Sequence, residues 1–357
     1  MVRPLIDSLE LFMDTPIYNF CAGPAALPPE VLEQLREDLV PHGIPTLLES
    51  SHRTPAYKEL MARTLANLRT LLGLGDAHTL LLLQGGASGQ FAMLPYNFLR
   101  PGETADYLVR GYWGDKAARQ AARVSRVRTL TEPGDWNSSA VYAHVTTNET
   151  IAGTALPETF VHPVAPLCAD MSSDILARPR DYGRYEFFYA GAQKNLGVAG
   201  LAVVGAEKEF LSRARRNLPA AFCYLEHTHA DGLYHTPNIF AVNALFRMTE
   251  WMLARGTDDI FAANERKARR LYAELDRSSF WRPLAPKDER SLTNVTFRLP
   301  TASLEEDFLA GAERAGLTAL RGHRALGGIR ASLYNAMPEA GVDALVAFMQ
   351  EFERRNG

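Results

Sequence analysis

The chain has 357 residues, 46% of them apolar and 22% charged, with a formal net charge of −3. That length and balance fit a globular protein with room for two cores, and they exclude a general electrostatic attraction to nucleic acid or anionic membranes. No stretch has the length and apolarity of a membrane span. The first sixteen residues carry Asp7, Glu10 and Asp14 without the apolar centre of a secretory leader, so a cytoplasmic protein with small-molecule partners is expected.

In chain order, the first predicted element is a helix opening at Pro29, with Val31, Leu32, Leu35 and Leu39 on one face. Short apolar runs over 79–83, 106–109, 141–145, 167–169, 187–189 and 201–204 read as buried strands separated by helical spacing. Strands alternating with helices predict an open α/β sheet, mostly parallel, with helices on both faces. Beyond Gly256 the pattern changes to a charged helix over 265–276, a strand over 294–299, a helix over 304–315 and a strand over 330–334. A closing helix turns Val342, Leu345, Val346 and Met349 inward, with Glu339 near its start and Arg354 and Arg355 at its end, as the helix dipole favours. The expected organisation is a large α/β domain over 17–256 and a smaller α+β domain over 257–357. Residues 1–16 are expected to pack with the smaller domain or to be partly disordered. Cys21, Cys168 and Cys223 match no zinc or redox spacing, which predicts free thiols in a reducing compartment and no metal site.

Three features carry chemistry. The run 79–83 leads into Gln84-Gly85-Gly86-Ala87-Ser88-Gly89 and then a helical pattern. That strand, glycine turn and helix can aim backbone N–H groups at a phosphate, although such turns also serve as plain connections. Asp170 closes the next motif at a strand's carboxyl end, where open α/β folds bind ligands. Buried there, it needs a cationic partner such as a protonated pyridine nitrogen; the neighbouring Asp174 reads equally well as a capping or loop acid. Lys194, in Ala190-Gly191-Ala192-Gln193-Lys194-Asn195, follows an apolar strand among small neighbours. Desolvation would make it a nucleophile, and the alternative is a lysine bonded to carbonyls. Taken together in this order, a phosphate cradle, an acid and a lysine suit pyridoxal phosphate.

These motifs lie beside Asn19-Phe20-Cys21-Ala22-Gly23-Pro24-Ala25, Ser51-His52-Arg53, Gly322-His323-Arg324 and the segment from Arg330-Ala331-Ser332 to Pro338. With them, the chain resembles the phosphoserine aminotransferase family, within the fold type I group of pyridoxal-phosphate enzymes, over nearly its whole length after about residue 17. The resemblance implies that Lys194 forms the Schiff base and that Asp170 pairs with the pyridine nitrogen. It implies that Ala87 and Ser88 donate to the cofactor phosphate with help from Gln193, that Trp113 stacks on the ring and that Thr150 bonds the side of the ring hydroxyl. It also implies a homodimer, in which the neighbouring subunit completes the phosphate site. There His235-Thr236-Pro237 stands where relatives have Asn-Thr-Pro, and Ser88 stands where some relatives have arginine.

Phosphoserine carries an anion at each end, so its site needs two cationic clusters, for which arginine's planar fork is suited. By resemblance Arg330 takes the α-carboxylate. His52, Arg53, His323 and Arg324 gather around the distal phosphate, some of them from the partner subunit, and the same cluster accepts the side chain of glutamate. The implied reaction moves an amino group from glutamate to 3-phosphohydroxypyruvate, giving phosphoserine and 2-oxoglutarate in serine biosynthesis; the sequence leaves open whether phosphohydroxythreonine, in pyridoxine synthesis, is a further substrate. Lys194 acts as general base in both halves. The competing readings are another small aminotransferase of the alanine–glyoxylate type, which has no need of paired His-Arg segments, and a non-catalytic pyridoxal-phosphate-binding protein.

Overall fold

A computed structural model describes residues 16–41, 46–157 and 159–357; apart from Pro16, the expectation for residues 1–16 lies outside them. The large sheet has seven strands in the spatial order His78–Gln84, Leu201–Glu207, Phe187–Gly191, Leu167–Asp170, Ala143–Thr146, Thr104–Leu108 and Arg126–Leu130. Within it, Leu201–Glu207 alone runs against the others. Alternation along the leucine run explains why it reads as continuously apolar: Leu80 and Leu82 enter one core while Leu81 and Leu83 enter the core on the opposite face.

Two expectations need correction. The strand Arg126–Leu130 was not anticipated, because it lies at the sheet edge and is apolar only at Val127 and Leu130, which are not in alternation; its Arg128 pairs at 2.7 Å with Asp106, which is wholly buried. The helix Pro29–Glu37 buries Val31 and Leu35, but Leu32 is 51% exposed, and Leu39, past the helix end, is 37% exposed. Val31 and Leu35 are one turn apart, whereas Leu32 is rotated by about 100° to the flank.

A third core gathers Trp281, Phe297, Phe308 and the inward residues of the last helix, Glu339–Asn356, among them Val342, Leu345, Val346 and Met349. Its antiparallel sheet joins Arg282–Pro283, Asn294–Arg298 and Ile329–Ser332, packed against the helices Thr257–Arg277 and Ala302–Arg314. Phe20 belongs to this core too, and the short strand Tyr18–Asn19 pairs in parallel with Leu317–Thr318. The described chain therefore enters the third core before it builds the large sheet.

The topology fixes where chemistry can occur. The strands ending at Gln84, Leu108, Thr146, Asp170 and Gly191 all point one way, and the loops leaving their carboxyl ends converge along one edge, as open α/β sheets require of a binding site.

Candidate active site

Lys194 sits three residues past the strand Phe187–Gly191, in a turn held by the N–H of Ala192 on the carbonyl of Leu201. Its Nζ donates to Thr150 Oγ1 at 2.9 Å and lies 5.8 Å from the centre of the Trp113 ring. Burial lowers its pKa to about 8, with Asp170 and Glu149 opposing and Arg330 reinforcing the shift. Asp170, only 4% exposed, accepts from both the backbone N–H and the hydroxyl of Ser172 at one oxygen, Oδ1, at 2.9 and 2.6 Å. Its Oδ2 bonds no described residue, and burial raises its pKa against the pull of Ser172 and Lys194. Ser172 is itself set in place by the N–H of Gly191 at 3.0 Å, which links the Asp170 and Lys194 strands.

Opposite these two, the helix Gly86–Phe98 begins one residue after the strand end at Gln84, across Gly85. Gly85 and Gly86 have φ of 96° and 59°, a left-handed pair that turns the chain sharply and leaves the first N–H groups of the helix directed outward. Trp113 is held by Glu149, whose two oxygens accept from the N–H groups of Trp113 at 3.2 Å and Gly114 at 2.9 Å. Glu149 comes so near that a Cβ on Gly111 would stand 2.4 Å from its Cδ.

These groups line one cavity of about 510 Å³, within the range of small-ligand sites. Three buried polar atoms in its wall have no hydrogen-bond partner among the described residues: Trp113 Nε1, Gln193 Oε1 and Arg330 Nε. Buried polar groups are nearly always paired, so three orphans in one wall mark a surface shaped for a polar ligand. Arg330 has no carboxylate within ion-pair distance among the described residues, and burial pulls its pKa down.

The aminotransferase class-V family model matches residues 17–345. A phosphoserine aminotransferase of Desulfatibacillum aliphaticivorans is 41% identical over 97% of this chain and 100% of its own length. The chain belongs to the phosphoserine aminotransferase family. Among solved structures, the phosphoserine aminotransferase of Bacillus circulans subsp. alkalophilus superposes with a TM-score of 0.91 at 39% identity, covering 96% of this chain and 99% of that one. A pyridoxal-phosphate-bound phosphoserine aminotransferase of Trichomonas vaginalis gives 0.87 at 32% identity, over 94% and 99%. An alanine–glyoxylate aminotransferase of Nostoc, 18% identical with a TM-score of 0.78, shares the fold alone.

In this family member one chain brings Ala87, Ser88, Trp113, Thr150, Asp170, Gln193, Lys194, His323 and Arg330 to the same cavity. Arg324 is exposed beside it, close enough to help lower the pKa of His323, for which burial is the larger cause. His52 and Arg53 instead line a separate cavity with Lys58 and Asp231. His235 lines a third, apolar one with Tyr96 and Phe222, and the carbonyl of Thr236 accepts from Gln84 Nε2 at 2.7 Å. Sequence reasoning gave Ser172 and Glu149 no task. The signal for Ser172 was its position two residues after a strand-end acid, where a hydroxyl commonly bonds back; nothing local pointed from Glu149 to Trp113, 36 residues away.

Proposed function

We propose that this chain is a pyridoxal-phosphate-dependent phosphoserine aminotransferase that exchanges the amino group between glutamate and 3-phosphohydroxypyruvate, giving phosphoserine and 2-oxoglutarate in serine biosynthesis. The observation that carries it is the convergence of Lys194, Asp170 and the glycine-turn helix on one cavity whose wall also holds Arg330, a half-buried cation without a counter-ion among the described residues.

The residues fit the cofactor. The first N–H groups of the helix Gly86–Phe98 would hold the cofactor phosphate. Asp170 Oδ2, free of other bonds among the described residues, would hold a proton on the ring nitrogen, and Trp113 would hold the ring. When bound, pyridoxal phosphate supplies a carbonyl for the amino group and an electron sink for Cα. Lys194, with a pKa near 8, is partly neutral at physiological pH and takes the Cα proton, while Thr150 Oγ1 orients its Nζ. Arg330 grips the α-carboxylate common to phosphoserine and glutamate. His323, with Arg324 beside it, serves the distal anion.

His52, Arg53, His235 and Thr236 stand away from their own Lys194 cavity, and in our reading they complete the cavity of a second copy in a homodimer. Tyr96 and Phe222, 46% and 53% exposed, line the apolar cavity beside Gly85, and Tyr234, 43% exposed, packs on the His227 and His235 rings of its wall; all three suit burial against that copy. We place the division between the two domains at Gly256, which has φ of 84° and separates the helices Ile239–Arg255 and Thr257–Arg277. A cytoplasmic setting accords with three free cysteines; no helix among the described residues is long and apolar enough to cross a membrane.

The test is the visible spectrum of the cofactor-loaded protein, titrated with phosphoserine and, separately, with serine and alanine. Bleaching by phosphoserine alone supports the assignment. Equal bleaching by alanine discards the substrate, and a protein that takes up no cofactor overturns the reading. Lys194→Ala is expected to abolish turnover.

A further inference from the structure

Lys116 has no part in the site as described so far. It lies on the helix Tyr112–Ala121, one turn after Trp113, so helical spacing returns its side chain to the face that Trp113 occupies. Its Nζ lies 5.2 Å from the centre of the Trp113 ring and 6.0 Å from that of Phe91, and it donates to Ser88 Oγ at 3.4 Å. Among the described residues no carboxylate pairs with it. The acid next to it, Asp115, is taken by Arg119 at 2.9 Å. An ammonium is thus held by two aromatic rings against the third residue of the glycine-turn helix, without a counter-charge.

We propose that Lys116 supplies the side-chain charge of the phosphate cradle and, through Ser88, its one oriented hydroxyl. The inference rests on the cofactor reading above and deepens it. Ser88 Oγ accepts from the ammonium, so its own hydrogen is turned away from Lys116 and is free to donate to a phosphate oxygen. A hydroxyl that accepts from a cation is also a stronger donor. The backbone N–H groups of Ala87 and Ser88 carry only partial charge, whereas a phosphate monoester carries nearly two negative charges at neutral pH. Lys116 offsets one of them from a position where Trp113 and Phe91 limit the freedom of its stem.

The experiment measures equilibrium binding of pyridoxal phosphate and of pyridoxal, which lacks the phosphate, to the cofactor-free protein by quenching of tryptophan fluorescence. Wild type, Lys116→Gln, Lys116→Arg and Ser88→Ala are compared. Lys116→Gln is expected to bind pyridoxal phosphate about tenfold more weakly, the scale of one charge-assisted hydrogen bond, and to bind pyridoxal as wild type does. Lys116→Arg is expected to recover most of the loss. Adding Ser88→Ala to Lys116→Gln should cost less than the sum of the two, since both act through one contact. If Lys116 only braced Trp113, both ligands would weaken alike, which overturns the proposal. Unchanged cofactor binding with a raised KM for phosphoserine also overturns it, by moving the charge to the substrate's phosphate. A wild-type protein that fails to prefer pyridoxal phosphate over pyridoxal would instead defeat the cofactor reading beneath.

Discussion

Arg330 is a site at which stability and activity are expected to move in opposite directions. Its strand, Ile329–Ser332, is fixed by pairing with Asn294–Arg298 and by its own N–H on the carbonyl of Leu320 at 2.7 Å, so the backbone does not depend on the side chain. The guanidinium lines the cavity with Nε buried and unpaired. An unsatisfied buried donor costs about 1–3 kcal/mol. Because the rest of the group reaches the open cavity, the low end applies. Arg330→Met keeps the stem's packing and removes that cost, so the substrate-free protein should gain about 1 kcal/mol, or about 1–2 °C in Tm for a chain this long. The same change removes the fork from the α-carboxylate. Losing one partner of a buried charge pair costs about 2–5 kcal/mol, and kcat/KM should fall about a hundredfold or more. The fall should be equal for phosphoserine and glutamate, since both present the same carboxylate, and Arg330→Lys should lie between. Calorimetry of the ligand-free protein and steady-state kinetics with each amino donor read the two effects. A lowered Tm together with wild-type kcat/KM would refute the reasoning.

Glu149→Gln places an amide where one of two backbone N–H groups needs an acceptor. It should cost about 1–3 kcal/mol and blue- or red-shift the Trp113 emission, and an unchanged melting curve would show that the two bonds to Trp113 and Gly114 do not hold the helix start. The pH dependence of the cofactor-free protein carries a signature of Lys194. Its folded pKa, about 8, lies below the ordinary 10.5 of the unfolded chain, so between those values the unfolded state binds more protons and stability rises with pH. Lys194→Met should flatten that rise. Burial also pushes Lys267 down, to about 7, so the difference between wild type and Lys194→Met, rather than either curve alone, isolates Lys194. A difference independent of pH from 7 to 11 would contradict a depressed Lys194.

What could be read from the chain beforehand follows a physical division. Features whose meaning is local were legible. A leucine run that reads as a buried strand, an acid at a strand's carboxyl end and a lysine after a buried strand each announce themselves within a few positions. The sheet's parallel order then carries Asp170 and Lys194 to one edge without further information. Features decided by distant partners were not legible. Arg126–Leu130 is a strand because Thr104–Leu108 offers it an edge and Asp106 offers Arg128 a buried charge; its own residues describe a solvated loop equally well. Leu32 reads as core because helix periodicity is coarse within one turn, and only the neighbouring helix Ile239–Arg255 decides which side is covered.

The same division runs through the site. Arg330 reaches the Lys194 cavity because the third core docks on the large sheet. Tyr334 does this by donating to the carbonyl of Ala22 at 2.9 Å, and Asn335 by joining Asn195, Lys194's neighbour, to Asn264 on the helix Thr257–Arg277. The Tyr334–Ala22 and Asn335–Asn195 bonds span 312 and 140 residues, and no spacing rule reaches them. Yet their chemistry is what makes the cavity a site. In the proposed reaction Lys194, among its small neighbours, sets the place of chemistry, but the substrate's charge is matched only when the third core delivers the Arg330 guanidinium to the same cavity. It follows that substitutions in the Asn195–Asn335–Asn264 contact, which touches no ligand, should disturb carboxylate binding through Arg330 before they disturb the bond between Lys194 and Thr150.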